Sequence, residues 1–322
     1  MVKQFLLILF FSSFSLFSNE IPIVLQKNWY GKAGKHLSFN PNDEWTQYKE
    51  LIIRSKDFKD LNEDDFIQLS FYNSFHLSKE ELLKQSESLS IILPFLSNAF
   101  EVYFNGEKLA EGGSYSNKQI TKDGFRRNVH VKLPNSKLKD GLNEIMIVVT
   151  GMKGEEIALY TDEKTTIDIV SKHIYQISER VTLMLLFMYA FVGFYHLLLF
   201  LKRPQEKYNF FFGMFCTSLS IYIYTRSTAV YETNLDPMLI TRIEYIDLFH
   251  ITAFSMAFFE NFFKGRIGLL SKLAFAYIWL LSFAMFFVSR GVASKVLLAW
   301  QLFTLISFIY LVYLIKKFEL FK

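Results

Sequence analysis

Two patterns of apolar positions divide the chain. From Tyr48 to about residue 172, apolar side chains alternate with polar ones in short runs bounded by turn residues, as in IQLSF (67–71), VHVKL (129–133) and IDI (167–169). A period of two places apolar side chains on one face of a strand, and antiparallel sheets typically have one wet and one buried face. The pattern predicts an all-β sandwich domain over residues 19–172, with about eight or nine strands.

Turn signals strengthen this prediction at two places. Asn105-Gly106 tolerates the positive φ angles of a type I′ turn and separates the runs 100–104 and 107–110, which predicts a β-hairpin. Asp140-Gly141 precedes residues 144–149, a run that is apolar on both faces. Such a run is typical of a central strand that an opposing sheet covers.

The second half of the chain has long apolar segments instead. Residues 181–201 contain no Asp, Glu, Lys or Arg, and 21 residues at about 1.5 Å each cross about 30 Å of hydrocarbon. Four further segments follow at 208–225, 243–263, 270–288 and 296–315. After a linker at 173–180, we therefore expect an all-α transmembrane bundle of about five helices over 181–316 and a short cytoplasmic tail at 317–322. The alternative, buried helices of a soluble protein, leaves too little polar surface to cover them.

The amino terminus predicts the orientation. Met1-Val2-Lys3, an apolar run at 5–11 and a Ser-rich stretch up to residue 18 are typical of a signal peptide, and the run is shorter than the roughly 20 residues of an anchor helix. The sandwich is then periplasmic or extracellular, and the helices make a multi-pass protein of the cytoplasmic (inner) membrane. Nine Lys and Arg in the predicted inner segments against four in the outer loops agree with this orientation.

Composition and charge exclude several classes of protein. The chain has 322 residues, 51% of them hydrophobic and 18% aromatic, and only 20 of its 66 charged residues follow residue 180. It has no basic patch for nucleic acid, and a single cysteine, Cys216, excludes an intrachain disulfide. Phosphate-loop, Gly-x-Ser-x-Gly, His-Glu-x-x-His and paired-Cys motifs are missing. We expect no catalytic residues, no cofactor and no metal, and so no enzyme.

Within the first half, three stretches resemble the galactose-binding-like jelly roll: FEVYFNGEKL (100–109) with Gly112-Gly113, KDGLNEIMIVV (139–149) and NDEWTQY (42–48). The resemblance implies a sandwich that often serves as a carbohydrate-binding module. It specifies architecture better than ligand.

Aromatic faces beside charged donors suit sugars or small anions, and the candidate ligand-binding residues of the sandwich are Trp29, Trp45, Tyr115, Arg126, Arg127 and His130. The alternative, which we favour for the tryptophans, is that they cap or fill the core.

Polar residues also lie within the predicted spans. Glu244, Asp247 and His250 are three residues apart, so they fall within about 120° of one helix face, which should point into the bundle. A carboxylate and an imidazole there could hold a metal or relay protons. The alternative, which we favour, is that Arg226 or Arg242 neutralises the two acids near the outer interface and fixes helix packing.

The helical half resembles the bacterial seven-transmembrane receptors with diverse intracellular signalling modules, through residues 192–210 (VGFYHLLLFLKRPQEKYNF), 242–250 (RIEYIDLFH) and 258–263 (FFENFF). That family implies an exported sandwich, seven helices and a cytoplasmic effector, whereas this chain has five apolar segments and few residues after them. We therefore expect a membrane sensor whose outer domain binds a carbohydrate-like or other small ligand and whose effector is a cytoplasmic or membrane signalling partner. Two alternatives remain: a transporter or membrane-embedded enzyme with an accessory outer domain, and a non-signalling remnant of a receptor.

Overall fold

A β-sandwich followed by a helical half makes up the part of the chain that the computed structural model describes. That part comprises residues 22–58, 66–84, 87–96, 98–153, 155, 157–176, 179–233 and 235–319. The signal peptide predicted at residues 1–18 lies outside these ranges.

The described part of the sandwich region has fourteen strands, more than the eight or nine that the sequence predicts. The difference comes from edge strands of two to four residues, which are too short to show an alternation. The strands are β1 (Ile23–Val24), β2 (Trp29–Ala33), β3 (Thr46–Tyr48), β4 (Ile52–Arg54), β5 (Phe66–Leu77), β6 (Leu89–Leu96), β7 (Ala99–Phe104), β8 (Glu107–Gly112), β9 (Ser114–Ser116), β10 (Gln119–Lys122), β11 (Arg126–Leu133), β12 (Gly141–Met152), β13 (Ala158–Tyr160) and β14 (Thr166–Ile169).

Two antiparallel sheets pack face to face. The first, sheet I, has the order β3-β2-β5-β12-β7-β8, and the second, sheet II, has the order β1-β14-β6-β13-β4 with β11 paired to β6. Alternate residues of both sheets point into one core, in which Trp29, Phe71, Ile91 and Phe104 are almost completely buried. As predicted from its apolar run, β12 is a central strand and pairs with β5 and β7.

Two turns depend on backbone conformations that favour glycine or asparagine. Asn105 (φ 50°) and Gly106 (φ 86°) join β7 to β8, which confirms the predicted hairpin. The hairpin β9–β10 begins after Gly113 and ends before Gly124, and these two glycines touch. A Cβ on Gly124 would lie 2.1 Å from the Gly113 nitrogen, so no larger residue fits there without a shift of the backbone.

The described ranges also contain seven α-helices: α1 (Lys79–Lys84), α2 (Val170–Gln176), α3 (Arg180–Lys202), α4 (Lys207–Arg226), α5 (Pro237–Lys264), α6 (Leu269–Ala284) and α7 (Arg290–Glu319). Each of the five predicted apolar segments overlaps one of the helices from α3 to α7. Asp236 caps α5 by accepting a hydrogen bond from the Leu239 backbone N–H at 2.9 Å, and Gly265 (φ 68°) ends the helix in the left-handed conformation.

Two of these helices are long enough and apolar enough to cross a membrane. They are Arg180–Lys202, with a mean hydropathy of 2.1, and the segment Lys295–Phe318 of α7, with 2.0. The helix α6 is apolar but has only 16 residues, and α5 contains the charged residues Glu244, Asp247 and Glu260. The helical half is therefore established, and five membrane spans stay a prediction.

The sandwich is followed by a short helix at the start of the linker between the two halves. The sandwich ends at Ile169, and α2 begins at the next residue, so the boundary predicted at residue 172 falls inside this helix. The buried side chain of His173 on α2 contacts Ser90 of β6 and Thr166 of β14, which alternate with the core-facing Ile91 and Ile167. α2 therefore lies on the outer face of sheet II.

Candidate functional site

The sandwich and the helices meet at a buried carboxylate. Glu244 belongs to the second turn of α5, and its side chain is only 4% exposed. Arg226, the last residue of α4, places Nη1 2.9 Å from Glu244 Oε1. Arg127 of β11 donates from Nη2 to Glu244 Oε2 at 3.0 Å. One carboxylate is therefore shared by an arginine of the sandwich and an arginine of the helical half; we call this cluster the Glu244 junction.

A second contact lies in the same segment of the sandwich. Arg290, the first residue of α7, donates from Nη2 to Asp123 Oδ2 at 2.6 Å. The guanidinium of Arg290 lies 4.2 Å from the ring centroid of Phe125, and the ring of Tyr231 packs edge-on against that ring at 6.1 Å. Burial raises the pKa of Tyr231, which lies in the 3-10 helix Thr228–Thr233. Residues 123–127 of the sandwich thus contact α5, α7 and this 3-10 helix.

A second carboxylate anchors the other end of α5. Glu260 has a 1% exposed side chain and accepts hydrogen bonds from Lys264 Nζ (3.0 Å), the Gly268 backbone N–H (2.7 Å), Ser271 Oγ (2.6 Å) and the hydroxyl of Tyr310. These donors come from α5, α6, α7 and the turn between α5 and α6. Glu244 and Glu260 are 16 residues apart, which is about 24 Å along a helix. The helix α5 is therefore fixed to different partners at its two ends.

The linker helix has its own buried polar group. His173 is 0% exposed, with Nδ1 2.9 Å from Ser90 Oγ and Nε2 3.1 Å from Thr166 Oγ1. The ring of His130 stands perpendicular to it at 6.0 Å. Burial lowers the pKa of His173 to about 4; the charge of Asp168 opposes this shift, and the charges of His130 and Lys172 add to it.

The structure does not bring the six candidate residues of the sandwich into one site. Trp29 is wrong as a ligand-binding residue, because its ring is completely buried in the core and Nε1 donates to the Leu25 carbonyl at 2.8 Å. Here the alternative that a tryptophan fills the core is correct. Trp45 and Tyr115 are partly exposed and contact different lysines, Lys32 and Lys35.

The other three candidates lie on β11 and differ in their surroundings. Arg126 is exposed, whereas Arg127, the next residue, belongs to the Glu244 junction. His130 faces the linker helix and His173. Arg127 was predicted to be a ligand-binding residue. Its partner Glu244 lies 117 positions away in the other half of the chain, and no local sequence pattern connects the two residues.

The polar face of α5 is divided as well. Glu244 pairs with Arg226, which is one of the two arginines that the sequence predicts as its partner. Among the described residues, Arg242 makes no contact of this kind, and its buried Nε has no hydrogen-bond partner. Asp247 forms no ion pair within the described ranges. His250 Nδ1 lies 2.8 Å from the Ile246 carbonyl, and its ring packs on Trp279 of α6 at 5.3 Å.

The residues of the described ranges do not form a metal centre: no group of three or more His, Cys, Asp and Glu is close enough to hold an ion. A cavity of about 200 Å³ between α5, α6 and α7 has an apolar lining, formed by Met256, Leu270, Leu273, Ala274, Phe303 and Ile306 together with Tyr277 and Ser307. Such a lining offers few ligands to an ion.

Comparisons with known proteins identify no family. No protein-family model matches the chain, and no curated protein matches it. Solved structures that match include the β-D-mannosidase of Dictyoglomus thermophilum (17% identity, 40% of this chain and 16% of that chain, TM-score 0.29), a β-glucuronidase of Bifidobacterium dentium (17%, 42% and 21%, 0.31) and a β-glucuronidase of Ruminococcus gnavus (13%, 47% and 29%, 0.33).

These matches are partial. The chain spans less than a third of the length of the three enzymes, and the TM-scores are about 0.3. A likeness of this size carries no argument about activity. The description of the first half as a β-sandwich rests on its own strand pairing.

The buried state of His173 predicts an acid-sensitive fold. In the unfolded chain this histidine binds a proton near pH 6.5, but in the folded chain only near pH 4. Between these values the unfolded state holds more protons, so folded stability falls as the pH is lowered through this window. We expect the apparent Tm of the full chain in mild detergent to be lower at about pH 5 than at pH 7, and the difference to shrink in His173→Gln.

The control is His76→Gln, which removes an exposed histidine from the same domain. This variant should keep the pH dependence of the native protein. If His173→Gln has the same pH dependence as the native protein, the acid sensitivity does not come from His173, which would contradict the prediction.

Proposed function

We propose that the chain is a membrane sensor, a receptor of bacterial signal transduction. Its outer sandwich, a galactose-binding-like jelly roll by resemblance, binds a carbohydrate-like or other small ligand. Its helices relay the change to an effector on a signalling partner, as the resemblance to seven-transmembrane receptors implies. The observation that supports this proposal best is the Glu244 junction, because a conformational change of the sandwich there acts directly on α4 and α5.

The exposed surface of the helices supports the membrane location. Only 6% of the apolar segment in α3 and 11% of that in α7 is buried, although both segments are long enough to span a bilayer. Phe187, Phe191 and Phe308 are each more than 60% exposed. Core helices of a soluble protein would bury such residues, whereas lipid is a suitable solvent for them.

The second function, that of a transporter or membrane-embedded enzyme, requires a polar cavity along α5. In the described part of the helical half, the cavity beside α5 is lined by apolar side chains apart from Tyr277 and Ser307. Glu244 and Glu260 are both occupied by hydrogen-bond donors from the protein. Neither observation favours a transporter or an enzyme.

A labelling experiment tests the membrane location and orientation. In a Cys216→Ala background, we expect Ser116→Cys, on the exposed β9–β10 hairpin, to react with a membrane-impermeant maleimide in intact spheroplasts. Gln205→Cys, in the exposed turn between α3 and α4, should react only after the membrane is permeabilised. A soluble protein, or equal labelling at both sites before permeabilisation, would contradict the proposal.

A second experiment tests the relay. Arg266→Cys, at the exposed turn between α5 and α6, is labelled with bimane in the Cys216→Ala full chain in nanodiscs. We expect Arg127→Met to shift the bimane emission, because it removes the sandwich's arginine from Glu244, which lies 20 residues or about 30 Å along α5 from the helix end at Lys264 beside the label. Arg126→Met is the matched control: it removes the same charge from the neighbouring exposed residue and should leave the emission unchanged.

The relay is refuted if Arg127→Met and Arg126→Met give the same emission as the parent protein. A shift of equal size in both variants would also count against it, since the effect would then come from the lost charge and not from the junction.

A further inference from the structure

A cleft opens on the outer face of sheet I, beside the hairpin β9–β10. Its volume is about 350 Å³, near the lower end of the roughly 300–1,000 Å³ typical of small-molecule sites. The groups that give it chemistry are Glu101 of β7, Glu111 of β8, Ser114 and Tyr115 of β9, and Thr150 of β12. This Tyr115 cleft includes one of the six candidate residues that the sequence singles out.

The charges of the Tyr115 cleft are balanced. Glu101 and Glu111 are neighbours across the β7–β8 pair, and each has its own lysine. Lys35 Nζ lies 2.5 Å from Glu101 Oε2, and Lys108 Nζ lies 2.6 Å from Glu111 Oε2. Although burial opposes it, the hydrogen bonds to Glu101 and Tyr115 raise the pKa of Lys35, so this lysine stays charged. A ligand with a net charge would gain little from such a cleft.

Hydrogen-bond acceptors remain open in spite of this pairing. Lys35 and the hydroxyl of Tyr103 both bind Glu101 at Oε2, which leaves Oε1 without a donor among the described residues. The hydroxyl of Tyr115 accepts from Lys35 Nζ at 3.3 Å and keeps its own hydrogen. The ring of Tyr115 is held by Phe66 at 5.4 Å and forms an apolar wall. Carboxylate oxygens beside an aromatic face suit the hydroxyls and the apolar face of a sugar ring.

The cleft is also connected to the Glu244 junction. Tyr115 lies on β9, and the other strand of the hairpin, β10, runs directly into Asp123, Phe125 and Arg127. At the base of the hairpin, Gly113 and Gly124 are in backbone contact. A ligand that moves Tyr115 therefore acts on the segment that contacts the helices.

We infer that the Tyr115 cleft binds a neutral, hydroxyl-rich ligand of one or two sugar rings. This inference rests on the proposed sensor function and names the place and the charge of its ligand. Glu101 and Glu111 accept hydrogen bonds from ligand hydroxyls, and Tyr115 packs against the ring.

The test uses the full chain in nanodiscs of neutral lipid and four neutral probes: methyl β-galactoside, methyl β-glucoside, cellobiose and maltose. Glucuronate and glucosamine are the charged counterparts. Binding is measured by saturation-transfer NMR and titration. We expect at least one neutral probe to bind. Tyr115→Ala and Glu101→Gln should each raise the Kd of that probe at least about tenfold, equivalent to about 1.4 kcal/mol.

Two further variants separate a lost site from a lost fold. Tyr115→Phe keeps the ring, so we expect it to bind more tightly than Tyr115→Ala and to keep the circular dichroism spectrum of the parent. Trp45→Ala removes a partly exposed aromatic ring outside the cleft and should leave the Kd unchanged.

The inference is overturned if no neutral probe binds at concentrations well above the millimolar range, if the charged probes bind more tightly, or if Trp45→Ala abolishes binding while Tyr115→Ala does not. Its failure is distinguishable from failure of the relay. If a neutral probe binds but Arg127→Met leaves the bimane emission unchanged, the relay alone is refuted. If Arg127→Met shifts the emission but no neutral probe binds, the cleft alone is refuted.

Discussion

The burial of the Glu244 carboxylate constrains the arrangement of both halves of the chain. A carboxylate that is 4% exposed is stable only if cations and hydrogen bonds replace its water, and two arginines do so here. One of them, Arg127, belongs to a strand of the sandwich, and the other, Arg226, ends a helix. Separating the two halves would leave this charge with fewer partners, so the carboxylate favours one relative position of the domains.

The same requirement applies at the other end of α5. Its second buried carboxylate, Glu260, takes its donors from α5, α6, α7 and the α5–α6 turn, at the opposite end of the helix from Glu244. Such an arrangement suits the relay that we propose, because charge-assisted hydrogen bonds at both ends of the helix have restricted geometry. The linker helix α2 adds a covalent connection, anchored on sheet II by His173.

Local patterns in the sequence predicted the local structure. The Asn105-Gly106 turn, the central position of β12 and the presence of a helix at each of the five apolar segments follow from residues close together in the chain. Edge strands such as β1 and β9 escaped prediction because two or three residues cannot show an alternation.

Long-range pairing was less accessible. Glu244 was correctly expected to need an arginine, and Arg226 lies 18 residues away near the same end of the bundle. Arg127 was assigned to a ligand site together with Arg126. The local sequence does not distinguish the buried contact of Arg127 from the exposed position of Arg126 beside it. Trp29 was also a candidate, but the core was the favoured location for the tryptophans, and its indole lies there. Whether an aromatic or charged side chain faces solvent, core or another domain depends on the tertiary arrangement.

The central claim is that Arg127 and Glu244 interact energetically across the boundary between the two halves. A double-mutant cycle of Arg127→Met and Glu244→Gln, with unfolding of the full chain followed in mild detergent, measures this interaction directly. We predict a coupling energy of about 1 kcal/mol or more for this pair, and additive effects for Arg126→Met combined with Glu244→Gln. Additivity of Arg127→Met and Glu244→Gln within about 0.5 kcal/mol would contradict the account.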